Sequence, residues 1–452
     1  MEIKASMGRY TVYASEYLKL DSDVLSGGGT DETEIIQSIL DKALEWGSLH
    51  LIMDGAALIR GIDVHSNTTI ECINSSCGFF LKAGSDDAVI KNHDISETEI
   101  KNVNITLKGG TYNQNCLNQG MTPPTEKQLP KGLGCSEMLT CMRFFGVRNL
   151  VMDGVTICDQ KRYALLMGNW ENVYMNNINI PLPHIVKATN QDGLHFHGPG
   201  QNLRLKNIYG RGGDDFIAIN TDEGDNVSSI RDVLIDGVIL HDGAHQAIRL
   251  LCRDKGVLEN VTIKNVMGSV RCCGFYINPW FNFEHPEAKG GLFKNIYIEN
   301  VRLKQADNLF ERIQPFIFCL GGNIRNITIK DVCAESDSDE FRLLTVREGG
   351  GYLSHVYEGM TPTHIEELTV DGVYVTDGGL GNAKEHLFEI EGNARVDRIK
   401  LSNISAHSAK PAEALIDITD KPDVGEIKLE SVYAENFSEL VRGKCRKLTV
   451  KE

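Results

Sequence analysis

Three aspartates stand at a spacing that could bring their carboxylates together. Asp192 precedes the adjacent pair Asp214 and Asp215 by 22 and 23 residues. If the chain completes one coil over that length, residues one coil apart lie on neighbouring strands about 5 Å apart. Carboxylates that close cannot all ionise freely, so at least one should keep its proton to a higher pH. A held proton beside ionised carboxylates is the arrangement that glycoside hydrolysis uses.

A short repeated pattern predicts such coils. From about residue 100 onward, a polar pair is followed by alternating apolar residues and then by Asn, Asp or Gly. Alternation of this kind, as in 261–266, is typical of a half-buried strand. The copies are 23 to 41 residues apart, without the Leu ladder of leucine-rich repeats or the signature of propeller blades. The clearest copies begin at Arg148, Glu171, Gln201, Arg231, Glu259, Lys294 and Arg325.

The pattern favours an all-β fold, a right-handed single-stranded parallel β-helix. An asparagine at each turn tolerates the left-handed backbone of a sharp corner and can bond to its neighbour in the next coil. Near the N-terminus, 27–31 reads Gly-Gly-Gly-Thr-Asp, and apolar residues then recur at helical spacing until Gly47. We expect this helix to cap the first coil. No Pro/Ser-rich linker interrupts the repeat, so we predict one domain over 1–452, with the cap in about 1–50 and coils in about 51–452.

Charge and composition limit the binding partners and the cellular location that we expect for this protein. A net charge of −16 argues against nucleic acid, against anionic membrane surfaces and, mildly, against polyanionic glycans. No apolar stretch approaches the roughly 20 residues of a membrane span, and the first 20 residues lack the features of a secretion signal. Apolar-flanked cysteines such as Cys158, Cys319 and Cys333 are typical of reduced residues in a coil interior. We therefore expect a cytoplasmic protein, and homo-oligomerisation is left open.

Three motifs resemble those of the pectin-lyase-like β-helix superfamily and, within it, the family 28 glycoside hydrolases, the polygalacturonase group. The family's Asn-Thr-Asp looks like the run ending at Asp192, its Asp-Asp pair like Asp214 and Asp215, and its Gly-His-Gly like the segment around His245. The resemblance covers nearly the whole chain. It implies inverting hydrolysis with Asp214 as the general acid, Asp192 and Asp215 orienting the water, and His245 assisting.

A fourth motif departs from the family. Where the family carries Arg-Ile-Lys, this chain has Tyr276 and Asn278 at the positions of the two cations. In the family these cations pair with the carboxylate of galacturonate, so their loss removes the charge-assisted contacts that select an acidic sugar. Arg249 either restores one positive charge or forms a salt bridge with the aspartates. The position three residues after Asp192, usually acidic in the family, is His195.

Further candidates for sugar contacts follow from residue type. Trp280 lies in an aromatic loop, where its ring could stack on a sugar or pack over the coil. His195 and His197 would point the same way from a strand, which suits a metal, but the sequence supplies no third ligand. We expect no metal and no cofactor. The predicted substrate-binding residues are Arg249, Tyr276, Asn278, Trp280, His195 and His197.

Two classes of function remain. The first is a glycoside hydrolase that acts on an oligosaccharide other than plain polygalacturonate. The second is a non-hydrolytic β-helix protein: a glycan-binding or tailspike-like module, or a lyase, epimerase or intramolecular glycosyl transferase. A lyase usually needs a cation beside the acidified proton, and a pure binder has no reason to stack three acids on adjacent coils. The hydrolase is favoured, although Asp214 and Asp215 could also be ordinary turn residues after two glycines.

Overall fold

The computed structural model describes residues 10–120, 139–186, 190–279, 289–306, 316–336, 341–347, 362–375 and 386–452. The chain divides into two compact units, Met1–Asp214 and Asp215–Glu452. Both are built from parallel strands, and the predicted fold class is confirmed: the protein is all-β, a right-handed parallel β-helix with a helical cap at its N-terminal end. The assignment of all coils to one domain stays a prediction.

The first unit contains the cap and the early coils. Its helices are α1 (Thr33–Leu40) and α2 (Lys42–Trp46), with 3₁₀ turns at Ala14–Glu16 and Cys116–Asn118. Its strands are β1 (Thr11–Tyr13), β2 (Leu49–Met53), β3 (Ala56–Ile59), β4 (Ile62–Val64), β5 (Thr68–Cys72), β6 (Gly78–Leu81), β7 (Ile90–Asn92), β8 (Asn102–Lys108), β9 (Thr111–Asn113), β10 (Met142–Asp153), β11 (Thr156–Cys158), β12 (Leu165–Ile180), β13 (Leu194–His197) and β14 (Gly200–Gly210).

The second unit continues with strands alone among its described residues. These are β15 (Asp215–Asn220), β16 (Ile230–Leu251), β17 (Val257–Asn278), β18 (Leu292–Gln305), β19 (Phe316–Leu320), β20 (Asn323–Ser336), β21 (Arg342–Val346), β22 (His364–Val375), β23 (Phe388–Ile390), β24 (Arg395–Ile418), β25 (Asp423–Arg442) and β26 (Lys447–Lys451).

The core of each unit consists of columns of apolar side chains, one from every coil. The predicted alternation creates these columns, because every second residue of a strand points to the same face. In-register parallel pairing then places like residues over one another. In the first unit one column is Ile105, Leu150, Val173 and Leu203. In the second unit a longer one is Ile263, Ile298, Ile329, Val370, Leu401 and Leu429.

Asparagine ladders form the corners, as predicted. Asn149, Asn172 and Asn202 have φ values of 63°, 56° and 60°, in the left-handed region that asparagine tolerates. The Asn172 amide donates to Asn149 Oδ1 at 3.0 Å, and the Asn202 amide donates to Asn172 Oδ1 at 2.9 Å. In the second unit Asn295 donates in the same way to Asn260 at 2.9 Å. Each ladder therefore fixes the turn and links it to the preceding coil.

The N-terminal cap forms where the sequence predicts it. Ile36 and Ile39 of α1 are fully buried, and Gly47 ends α2 with φ at 78°. The predicted helix is divided at Asp41, whose carboxylate accepts hydrogen bonds from His65 Nε2 at 2.9 Å and from Gln37 Nε2 at 2.8 Å. The cap is thus tied to the coils through a side chain as well as through its apolar face.

Two further findings concern membrane-spanning helices and disulfide bonds. None of the helices in the described residues has the length and apolar character that a bilayer crossing requires. The cysteines in the described ranges form no disulfide, and all of them except Cys333 and Cys445 are buried.

Candidate functional site

In the first unit, backbone hydrogen bonds place Asp192 and Asp214 on adjacent coils. The Gly213 amide donates to the carbonyl of Gln191 at 2.7 Å, so each aspartate directly follows a residue of this bonded pair. On the other side, the Ala164 amide donates to the carbonyl of Asp192 at 3.0 Å. The 22-residue spacing therefore corresponds to one coil. Asp214 is half-buried, whereas Asp192 is only 2% exposed.

The Asp192 carboxylate begins a short hydrogen-bonded chain. Its Oδ2 lies 2.7 Å from Nδ1 of His195, and Nε2 of His195 lies 3.1 Å from Nε2 of His197. Because an ionised carboxylate can only accept, Nδ1 of His195 carries the proton in the first bond. The Tyr163 ring stacks on His195 with centroids 4.4 Å apart, and the Trp170 indole N–H donates to the carbonyl of His197 at 2.9 Å. Stacking therefore fixes the ring of His195, and the indole fixes the backbone of His197.

This chain lies on the outer side of the coil. His195 pairs in register with Leu166, Leu166 with Arg143 and, one coil earlier still, Arg143 with Lys91, whose ammonium pairs with an aspartate. Leu194, next to His195 in the strand, points the opposite way, into the apolar interior. Asp192 bonds to the outward-facing His195, so its carboxylate does not face the coil interior.

The side chain of Gln191, just before Asp192, organises the surrounding loop. Its Nε2 donates to the carbonyls of Gln160 at 2.8 Å and His184 at 3.1 Å, and its Oε1 accepts from the Val186 amide at 2.7 Å. Sequence reasoning missed this role. The sequence did carry a signal for this role: the family that the chain resembles has threonine at this position, whereas this chain has glutamine.

In the second unit, Arg249 pairs with Asp215. Nη1 of Arg249 lies 3.5 Å from Oδ2 of Asp215, and both side chains are almost fully buried. The Arg249 guanidinium also lies over the Tyr276 ring, 5.4 Å from its centroid. Of the two predicted roles for Arg249, the structure shows the salt bridge with an aspartate. Strand β16, which carries Arg249, is irregular around His245, where its register with β17 shifts.

Tyr276 and Asn278 are covered rather than exposed. Tyr276 has 0% exposure and stacks against Phe316 with centroids 6.3 Å apart, while Asn278 is 2% exposed. Burial raises the pKa of the Tyr276 hydroxyl well above its usual value. Trp280 lies outside the described residues. The assignment of these three residues to substrate binding stays a prediction.

The structure thus groups the predicted residues unit by unit. In the first unit it joins Asp192 to His195 and His197, with Asp214 on the next coil. In the second unit it joins Asp215 to Arg249 and Tyr276. Apart from these groups, three ligand-type side chains of the first unit, Cys116, Asp159 and His184, lie close enough to hold a metal ion.

Part of the chain is similar in sequence to plant polygalacturonases. A polygalacturonase of Persea americana is 24% identical over 207 residues, which are 45% of this chain and 44% of that protein. An exopolygalacturonase of Arabidopsis thaliana is 23% identical over 200 residues, 44% of this chain and 42% of that protein. The alignments therefore span less than half the length of each relative. No protein-family model matches the chain.

Solved structures share the fold over almost the whole chain. A hyperthermoactive exopolygalacturonase of Thermotoga maritima has a TM-score of 0.50 at 12% identity, covering 100% of this chain and 93% of its own. The tailspike of E. coli bacteriophage HK620, solved with a pentasaccharide, has a TM-score of 0.56 at 11% identity, with 94% and 75% covered. The chain has the pectin-lyase-like β-helix fold. At these identities the structural likeness shows the fold alone.

Proposed function

We propose that the protein is an inverting glycoside hydrolase acting on an oligosaccharide other than plain polygalacturonate. The observation that carries the proposal is the placement of Asp192 and Asp214 on adjacent coils, with the Asp192 carboxylate held by His195 at 2.7 Å. The partial sequence similarity to polygalacturonases supports the reaction class. The fold by itself would not support a reaction class, because one fold can carry unrelated activities.

The roles follow from the surroundings of each carboxyl group. Asp214 is half-buried and can approach the leaving oxygen, so it serves as the general acid. Asp192 accepts a hydrogen bond from an imidazole, which stabilises its negative charge, so it accepts the proton of the attacking water. The resemblance assigns Asp215, the chain neighbour of Asp214, to orienting that water. Inverting enzymes keep acid and base about 6.5–9.5 Å apart to leave space for the water.

The proposed substrate class follows from the few positive charges at and beside the replaced Arg-Ile-Lys motif. Tyr276 and Asn278 are neutral, and the Arg249 guanidinium already faces the carboxylate of Asp215. A uronate would have to compete with that carboxylate for Arg249, and the residues of the replaced motif, 275–278, include no cation. A neutral or differently charged oligosaccharide fits this arrangement better than galacturonan.

The test combines a substrate screen with one variant. Neutral and acidic oligosaccharides are incubated with the protein while NMR follows the anomer of each product, and inversion is expected. On the best substrate, Asp214→Asn should lower kcat by about 10²–10⁴-fold. On an aryl glycoside, whose leaving group needs little protonation, the loss should shrink, whereas Asp192→Asn should impair both substrates alike.

The control is Asp420→Asn, which makes the same change at an exposed position of the second unit and should leave activity unchanged. Retention of the anomeric configuration, or near-full activity of Asp214→Asn on the natural substrate, would show that the roles are wrongly assigned.

A non-hydrolytic glycan-binding protein is the second candidate. The nearly complete burial of Asp192 and its bond to His195 favour it, because such a pair can also be purely structural. Under this alternative the screen detects binding of an oligosaccharide without any product, and the aspartate variants bind as the parent protein does.

A further inference from the structure

Three side chains from consecutive parts of the first unit converge beside a cavity. Cys116 begins the 3₁₀ turn after β9, Asp159 follows β11, and His184 follows β12. Their ligand-type atoms all lie within 4.8 Å of one another. Oδ1 of Asp159 is 2.8 Å from Nδ1 of His184 and 3.9 Å from Sγ of Cys116.

The coils fix this arrangement. Strands β9 and β11 pair in register, with Asn113 beside Cys158, and the Cys116 amide then donates to the carbonyl of Asp159 at 3.1 Å. From the other side, the buried ammonium of Lys161 donates to the carbonyl of Cys116 at 2.9 Å. Two of the three side chains are therefore held by backbone contacts between adjacent coils. His184 is about half exposed, so the cluster can be reached from solvent.

The cluster forms part of the wall of a cavity of about 420 Å³. Apolar and polar groups share the lining, and a ligand bound by the three side chains would have room on its remaining side. Besides the cluster, the lining includes Leu25, Phe80, Lys82 and Asn115.

We propose that Cys116, Asp159 and His184 bind a Zn²⁺ ion whose fourth coordination position faces this cavity. Thiolate, imidazole and carboxylate are the three ligand types of protein zinc sites, and three protein ligands with one open position is the pattern of accessible sites. Tetrahedral coordination at ordinary zinc bond lengths separates ligand atoms by about 3.3–3.5 Å. The separations of 2.8 Å and 3.9 Å from Asp159 lie on either side of that value, and all three ligand atoms lie within 4.8 Å of one another, so side-chain rotations can bring them to tetrahedral spacing.

Other uses of the cluster fit less well. Ca²⁺ and Mg²⁺ prefer oxygen ligands, which only Asp159 among the three supplies. A nucleophilic cysteine needs a lowered thiol pKa. Burial and the nearby Asp159 carboxylate instead raise the pKa of Cys116 to about 12, although Lys161 acts in the opposite direction. A divalent cation that displaces the thiol proton would offset both unfavourable effects.

The ion would also stiffen the loop that holds Asp192. Gln160, next to Asp159, donates from its Nε2 to the carbonyl of Asp192 at 3.3 Å. Gln191 donates from its Nε2 to the carbonyl of His184 at 3.1 Å. Two of the three proposed metal ligands are therefore linked to the segment 191–192: Asp159 through its chain neighbour, and His184 through its own carbonyl. Zinc binding itself is independent of the proposed hydrolase activity.

The test uses Co²⁺ as a spectroscopic substitute for Zn²⁺ in the intact protein. One equivalent of Co²⁺ should produce a thiolate-to-cobalt charge-transfer band and the visible bands of four-coordinate cobalt, and Zn²⁺ should remove them by competition. Cys116→Ser should abolish the charge-transfer band. Loss of an outer-shell partner typically weakens metal binding about 10–100-fold, so removing the imidazole ligand in His184→Gln should weaken it by at least about 100-fold.

The matched control is Cys445→Ser, which removes a partly exposed thiol of the second unit and should leave the spectrum unchanged. Circular dichroism checks that each variant is folded, and because His184 is exposed, its substitution should disturb folding least. Absence of a charge-transfer band in the parent protein, or a band that survives in His184→Gln with unchanged affinity, would overturn the proposal. Activity is not part of the readout, so a failed hydrolase assay leaves this result unaffected.

Discussion

Replacing His195 with alanine should destabilise the region around Asp192 by about 2–4.5 kcal/mol, because it removes the donor that bonds to the buried Asp192 carboxylate together with a stacked ring. The contacts of His195 in the structure give the two contributions to this free energy. The 2.7 Å bond joins groups that are 2% exposed at both ends, and a hydrogen bond to a charged group contributes about 1.5–3 kcal/mol. Stacking of His195 on Tyr163 adds about 0.5–1.5 kcal/mol.

The coupling between the two residues can be measured with a double-mutant cycle. In Asp192→Asn the amide oxygen still accepts from Nδ1 of His195, so only the charged part of the bond is lost, at a cost of about 1–1.5 kcal/mol. His195→Ala should therefore cost less in the Asp192→Asn background than in the parent protein. We expect a coupling free energy of about 1–1.5 kcal/mol, which exceeds the roughly 0.5 kcal/mol within which independent sites are additive.

Trp170 supplies the local reporter, because its indole N–H bonds to the carbonyl of His197. Urea unfolding followed by fluorescence, in a background with Trp46 and Trp280 replaced by phenylalanine, isolates its signal. His241→Ala, at an exposed histidine of the second unit, is the control and should change the free energy of unfolding that Trp170 reports by less than about 0.5 kcal/mol. Additive effects of the two site substitutions would refute the view that His195 holds the Asp192 carboxylate.

Two further predictions concern the coils and the cap. Asn172→Ala should lower the free energy of unfolding by about 2–3 kcal/mol, because it removes two ladder bonds and leaves alanine at φ 56°. Asn172→Gly, which tolerates that φ, should lose less, and equal losses in urea melts would contradict the backbone contribution. In the cap, the Thr30 amide bonds to Asp21 at 2.7 Å, and this bond lowers the pKa of the Asp21 carboxyl below its usual 3.8. A lowered folded-state pKa contributes stability that is present above the unfolded value and lost as pH falls through the folded value. Asp21→Asn should therefore weaken the acid dependence of stability below about pH 3.8, and an unchanged pH profile would count against this contribution.

The fold could be predicted because its determinants are local and repeated. Asn149 and Asn172 mark successive corners, and the alternating residues that follow them fix which face enters the core. The break of the cap helix at Asp41 could not be predicted in the same way. It coincides with hydrogen bonds from Gln37, four residues away, and from His65, which directly follows strand β4. A helical apolar pattern carries no information about the second partner.

The candidate site could be predicted only where spacing alone decides the geometry. The 22-residue interval places Asp214 one coil beyond Asp192, and the backbone bond between Gly213 and Gln191 realises that spacing. The partner of Arg249 depends instead on side-chain directions across strands. Sequence left two roles for this arginine, and the structure shows the one in which it faces Asp215.

Under the proposed mechanism, surroundings rather than residue type separate acid from base in the first unit. Asp192 and Asp214 are chemically identical and lie on adjacent coils, yet Asp192 is buried against an imidazole donor while Asp214 stays half-exposed. A donor that bonds to the carboxylate form favours the charged state, which suits a group that must take a proton. The partly exposed neighbour can reach a sugar oxygen, which suits a group that must give one. Enzymes that use paired carboxylates assign the two roles by such differences in environment. Here the difference comes from His195, at a position where the family that the chain resembles usually has an acidic residue.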